Sequence, residues 1–173
     1  MITDGMTPKS QGGTGKVIIG GNFVSWYGGF DSYIVAREIE NPISAPSMGR
    51  KQEQENAIED INYLPYLSWR DWINCLSQYN IGVHLMRTHA AGTFAMNCGF
   101  HGIPCIGYKG LDTQEILHPL TTVEVGDIEK AVDIARKLKD EEFYNLCMET
   151  ALKRFSAYYD EKAWLINWKE TNL

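Results

Sequence analysis

The residues with the most chemical promise lie in loops that join short apolar runs to amphipathic stretches. One is Arg87-Thr88-His89-Ala90-Ala91-Gly92-Thr93-Phe94-Ala95-Met96-Asn97. Small residues at Ala91, Gly92 and Thr93 leave the first amides of a helix uncovered, and those amides with the helix dipole favour an anion such as phosphate. His89 sits in the approach to that helix as a candidate catalytic or ligand-touching imidazole, and Asn97 lies two turns in. A second loop, Gly20-Gly21-Asn22 through Tyr27-Gly28-Gly29, has paired glycines that let backbone approach a ligand, with Tyr27 and Trp26 as a hydroxyl and a stacking face. Arg50 and Lys51 after Gly49 are cations able to meet a diphosphate. Leu64-Pro65-Tyr66-Leu67 is a stiff apolar loop whose main chain can meet the edge of a nucleobase. Tyr108 to Glu115 is a polar cluster, with Asp112 and Thr113 facing the same crevice or, for Asp112, capping a helix.

Some chemistries are set aside. Gly12-Gly13-Thr14-Gly15-Lys16 resembles a phosphate loop, but Ser10 stands where its first glycine belongs and Val17 follows the lysine. Four histidines and four cysteines show no ligand spacing, so no metal is expected. Cys75, Cys98, Cys105 and Cys147 are far apart in apolar stretches and read as buried reduced thiols.

These loops need a scaffold. Lys16–Gly21, Ile43–Ala45 (stopped by Pro46), Ile61–Tyr63, Ile81–Met86, Ile103–Gly107 and Thr121–Val125 read as short strands. Between them, helices are expected over Gly29–Glu40, from Ser68 to Asn80, over Ala91–His101 closed by Gly102, after Asp127, and after Asp140. Strands alternating with helices imply right-handed crossovers and a parallel sheet covered on both faces. Ligands of such sheets bind outside the carboxyl ends of the strands, where the loops above lie. Residues 1–15 are polar and rich in Gly and Thr, a tail or linker, leaving residues 16–173 as one domain.

Composition agrees with a folded domain: 44% of residues are hydrophobic and 12% aromatic, enough for a packed core. The formal charge of −6 argues against a nucleic-acid-binding surface while leaving room for one diphosphate. No run of about 18 apolar residues and no leader is present, so no membrane span is expected and the cytoplasm is the default.

Two segments carry a resemblance. W-x-x-x-I-x-x-L-S-x-Y-N-I-G-V-H-L-M from Trp69, and A-G-T-F-A-M-N-C-G-F-H-G-I-P-C-I-G from Ala91, resemble the C-terminal, sugar-nucleotide-binding half of GT-B glycosyltransferases of the group 1, family-4 type. The Asp140 to Ala151 segment and an aromatic C-terminal helix with Trp164 and Trp168 fit the same half, and the resemblance spans roughly residues 16–168. It implies a Rossmann-like three-layer sandwich with a mostly parallel sheet of about six strands and a long C-terminal helix. It also implies a nucleoside diphosphate sugar as donor, no cofactor, and a partner N-terminal acceptor-binding domain or subunit. The donor-binding positions would be Gly21, Asn22, Tyr27, Arg50, Lys51, Tyr66, Ala91, Gly92, Thr93, Asn97, Asp112 and Thr113, with His89 as the catalytic candidate. The chain departs from the family where it matters: His89 and Asn97 stand at the places of the two glutamates that many members carry, and the places of the arginine and lysine that members tend to carry after the first strand fall near Asn22 and Tyr27. A chain with one such half is expected to bind donor without transferring sugar by itself. The alternative expectation is a non-enzymatic module that docks a partner through Trp26–Tyr27 and Trp164–Trp168. A flavodoxin-like domain is disfavoured by the lack of acids after the first strand.

Overall fold

The structure, a computed structural model, describes residues 15–39, 43–47, 53–89, 92–161 and 165. Nearly all of the 1–15 tail, Arg50, Lys51, Ala91, Trp164 and Trp168 lie outside the described residues.

Six strands form one parallel sheet: β1 (Val17–Ile19), β2 (Ile43–Pro46), β3 (Ile61–Leu64), β4 (Ile81–His84), β5 (Cys105–Tyr108) and β6 (Thr122–Val123). Their order is β3-β2-β1-β4-β5-β6, so the winding reverses between β1 and β4. The α/β, Rossmann-like expectation is met. The strands are short and β-branched because both sheet faces are covered, which removes the need for polar alternation. β2 continues through Pro46, which stands opposite Leu64. The proline therefore occupies the strand's last position and does not precede its end.

Helices α1 (Gly29–Ala36) and α5 (Ile128–Lys137) pack on one face. There Val17, Ile19, Val83, Ile106 and Tyr108 meet Val35, Ala131 and Ile134 in one buried cluster. Helices α2 (Trp69–Leu76), α3 (Thr93–His101) and α4 (Asp112–Leu117) cover the other, where Ile18 and Cys105 meet Leu76, Phe94 and Cys98. Helix α6 (Glu141–Tyr158) joins the two layers: Tyr144 and Cys147 enter the first cluster, and Phe155 packs on Phe100, Ile73 and Leu117.

The caps form as their residue types dictate. Ser68 accepts from the Asp71 amide at 3.3 Å, Asp127 from Lys130 at 3.0 Å and Asp140 from Phe143 at 2.9 Å. Gly102 closes α3 at φ +66°, a conformation that costs glycine nothing. α4 forms where Asp112 could read as a helix cap, but Leu111 takes the cap position and Asp112 is the first helical residue. The helix is six residues of mostly polar DTQEIL, too short for a periodic apolar signal.

Two buried histidines carry a pH signature. The His84 ring has neither nitrogen paired and lies edge-on to Phe94 at 5.5 Å. His118 Nε2–H donates to the Ala95 carbonyl at 2.9 Å, and its Nδ1 accepts from the Cys105 amide at 3.4 Å. Burial lowers both rings to about 4 from an ordinary 6.5. The unfolded chain thus binds more protons between these values, so the contribution is complete above about pH 6.5 and is lost as pH falls through 4. The gap corresponds to about 3 kcal/mol per ring. Urea unfolding measured from pH 7 to pH 4 is expected to show this loss. His84→Leu removes roughly half of the slope and, since no hydrogen bond is broken, leaves stability at pH 7 unchanged or raised by about 1 kcal/mol. Asp140→Ala is expected to lower stability by about 1 kcal/mol at pH 7, measured in the same way.

Candidate functional site

The turn after β1 is built to hold backbone close. A Cβ at Gly20 would stand 2.4 Å from the Phe94 ring, so only glycine lets α3 lie this near the strand end. Asn22 is buried and spends its Oδ1 on the Val24 amide at 3.2 Å, which shapes the turn. Ser25–Tyr27 follow as a 3-10 turn with Trp26 exposed and Tyr27 half-buried, and Gly28 at φ +61° starts α1. The turn is bolted to the end of β4: the Arg87 amide donates to the Trp26 carbonyl at 3.0 Å, and the Leu85 amide to Ser32 Oγ at 2.9 Å.

Beside this turn opens a cleft of about 220 Å³. Its apolar wall is Pro46, Pro65, Tyr66, Trp69 and Trp72, from the ends of β2 and β3 and the start of α2. Tyr66 is 90% exposed on the rim. Thr93, Phe94 and Asn97 of α3 form the opposite wall, with Gly20 between. Asn97 is 2% exposed, yet its Oδ1 has no hydrogen-bond partner. Asn97 lines the cleft, and its buried Oδ1 is an acceptor that the protein leaves without a donor. No side chain caps the amino end of α3, so its first amides present the positive end of the helix to the same place.

On the β5 side, His89 is exposed and its Nδ1 lies 2.6 Å from the Gly110 carbonyl. A carbonyl only accepts, so Nδ1 carries the proton and Nε2 is the acceptor in the neutral ring. The Gly110 amide donates to Glu115 Oε1 at 2.8 Å. Thr113 is buried and donates to the Gly92 carbonyl at 2.8 Å, pinning the amino end of α3. Asp112 is the exposed first residue of α4 and makes no side-chain cap.

Two cations of this edge are already paired. Arg87 reaches Asp31 Oδ2 through Nε at 3.0 Å and Nη2 at 2.7 Å, and Tyr108 donates to the same oxygen at 3.0 Å. Burial and the adjacent Asp31 carboxylate push the Tyr108 hydroxyl up, so it remains a donor. Lys109 meets Glu124 at 2.9 Å.

The structure thus gathers Gly21, Asn22, Tyr27, Tyr66, Gly92, Thr93, Asn97, Thr113 and His89 at the carboxyl edge of the sheet. Within the group, Tyr66, Thr93 and Asn97 line the cleft, Asn22 and Thr113 brace the turns beside it, and His89 stands across α3. Arg50, Lys51 and Ala91 lie outside the described residues. Sequence reasoning missed the walls Trp69 and Trp72: Trp72 reads as one face of the helix after Ser68, and Trp69 enters only with the resemblance. It missed Asp31 as well, which is 56 residues from Arg87 and 77 from Tyr108 in sequence. Among the described residues no cluster of His, Cys, Asp or Glu is arranged to hold a metal, and no helix is long and apolar enough to cross a membrane.

No protein-family model and no curated protein sequence matches the chain. Solved structures do. Anabaena HepE, determined in complex with UDP and glucose, superposes with a TM-score of 0.69 at 10% identity, over 92% of this chain and 49% of HepE. Sucrose-phosphate synthase from Thermosynechococcus elongatus gives 0.71 at 14% identity, over 92% of this chain and 45% of the synthase. WaaG, a glycosyltransferase involved in lipopolysaccharide biosynthesis, gives 0.67 at 12% identity, again over 92% and 45%. The chain spans about half the length of these structures. At these identities the likeness is one of architecture, and the chain has the fold of the C-terminal half of a GT-B glycosyltransferase.

Proposed function

We propose that this chain is the donor-binding domain of a glycosyltransferase, taking a nucleoside diphosphate sugar and working with a second, acceptor-binding half. The observation that carries the reading is the cleft at the reversal of the sheet, where Asn97, with its unpaired Oδ1, and the uncapped start of α3 stand opposite an aromatic wall. The wall of Tyr66, Trp69 and Trp72 suits the flat faces of a base, and Asn97 suits a ribose or sugar hydroxyl. The diphosphate rests on the amides at the start of α3, and Arg50 or Lys51 supplies charge to it. Catalysis in such a protein is electrostatic support of the leaving diphosphate, and neither metal nor cofactor enters. HepE was solved with UDP-glucose and TarM of S. aureus with UDP, which supports a uridine diphosphate sugar as the first donor to try. The free thiols of all four cysteines suit the cytoplasm.

Titration of UDP and GDP against tryptophan fluorescence tests the reading, because Trp69 and Trp72 line the cleft. A saturable change with one nucleotide is expected, weakened roughly tenfold or more in Trp69→Ala through loss of stacking. The purified chain with a UDP-sugar and a range of acceptors is expected to transfer no sugar. No response to either nucleotide would favour a module that docks a partner through Trp26–Tyr27 and Trp164–Trp168, of which Trp26 is exposed.

A further inference from the structure

The β5 loop holds the His89 ring in one orientation and one tautomer. Gly110 adopts φ +107°, and a Cβ there would stand 2.8 Å from His89 Cε1, so only glycine lets the imidazole lie on the loop. The Gly110 carbonyl takes the Nδ1 proton at 2.6 Å, while Glu115 Oε1 holds the Gly110 amide at 2.8 Å. The carboxylate positions the loop, the loop positions the ring, and the ring is left with Nε2 as a fixed acceptor on an exposed side chain. This device lies on the β5 side of the start of α3, whereas the aromatic cleft lies on its β1 side. A ligand whose base lies against Trp69 and whose phosphates cross the first turn of α3 brings its far end towards His89.

Resting on the donor-binding reading above, we infer that His89 Nε2 accepts a hydrogen bond from a sugar hydroxyl and thereby selects neutral hexoses against uronic acids. A hydroxyl offers the proton that Nε2 lacks. A carboxylate offers only lone pairs, so the two acceptors face each other and both lose their water. Asp112, exposed at the start of α4, and Glu115, an α4 residue whose carboxylate holds the Gly110 amide, add negative charge to the same side and act in the same direction. Glu115 and Gly110 are positioning residues, since they act through the ring.

Long-range 1H–15N spectra of the full chain report the tautomer, and calorimetry at pH 8 with UDP, UDP-glucose and UDP-glucuronate reports the selection. The expected results are an Nδ1-protonated His89 and UDP-glucose bound about tenfold more tightly than UDP-glucuronate. In His89→Ala the ratio falls to about one, and in His89→Arg, which presents donors instead of an acceptor, it reverses. An Nε2-protonated ring, or a glucose preference that survives His89→Ala, overturns the inference. Binding of UDP with equal affinity for the two sugar conjugates overturns this inference alone, whereas no binding of UDP defeats the donor-binding reading and this one with it.

Discussion

The site depends on how closely α3 can approach the sheet. Along the face it covers, Gly20, Gly82 and Gly107 stand where side chains would otherwise point at the helix layer. A Cβ at Gly82 would lie 2.8 Å from Cys98 Sγ, and one at Gly107 would lie 2.5 Å from the Gln114 side chain. Bare backbone lets Phe94 drop beside the turn after β1 and lets Gln114 donate to the Cys105 carbonyl at 2.8 Å. The amino end of α3 is thereby lowered to the level of the strand ends, where its amides and Asn97 can share one cleft. A larger residue at Gly20 or Gly82 would lift α3 and separate the two walls, and one at Gly107 would displace Gln114 of α4.

That approach places polar groups in a dry layer, and the protein answers in two ways. His118 is tied at both ring nitrogens and bridges α3 to β5, and His101 Nε2 bonds the Ile73 carbonyl at 2.7 Å, linking α3 to α2. His84 and Asn97 Oδ1 have no partner. The contrast is informative because an unmet buried acceptor costs about 1–3 kcal/mol, a cost that a structural residue would have no reason to carry. Staying neutral spares His84 the larger cost of a buried charge, while both of its ring nitrogens remain unmet beside Phe94. Asn97 lines the cleft with its Oδ1 buried and unmet.

Much of this was legible in the residues. Six strands follow from short β-branched runs, and Ser68, Asp127, Asp140 and Gly102 mark helix ends because capping is local chemistry that a few neighbouring residues decide. The loops at the carboxyl edge follow from strand–helix alternation, which places Asn97, Thr93 and Tyr66 together without knowledge of their contacts. What escaped was long-range or short. The meeting of Asp31, Arg87 and Tyr108 depends on three elements converging, and α4 has too few residues for a period to appear. Trp72 gave the same signal whether it faced a core or a cleft. Only the end of α2 relative to the β3 loop decides between them.

Charge explains why the site has its composition. Asn22 is folded into its own turn and Tyr27 is half-buried, so neither brings a charge to the cleft. Arg87 and Lys109 stand at the same edge but are held by Asp31 and Glu124. Among the described residues, then, the cleft offers amides and aromatic faces in place of free cations. Amides at a helix start bind an anion through fixed dipoles, with less dependence on salt than surface lysines, whose attraction ions screen over about 10 Å at 0.1 M. A site of this kind gains more from shape and from fixed hydrogen-bonding direction than from net charge. The same logic makes the orientation of the His89 ring, fixed by the Gly110 carbonyl, consequential.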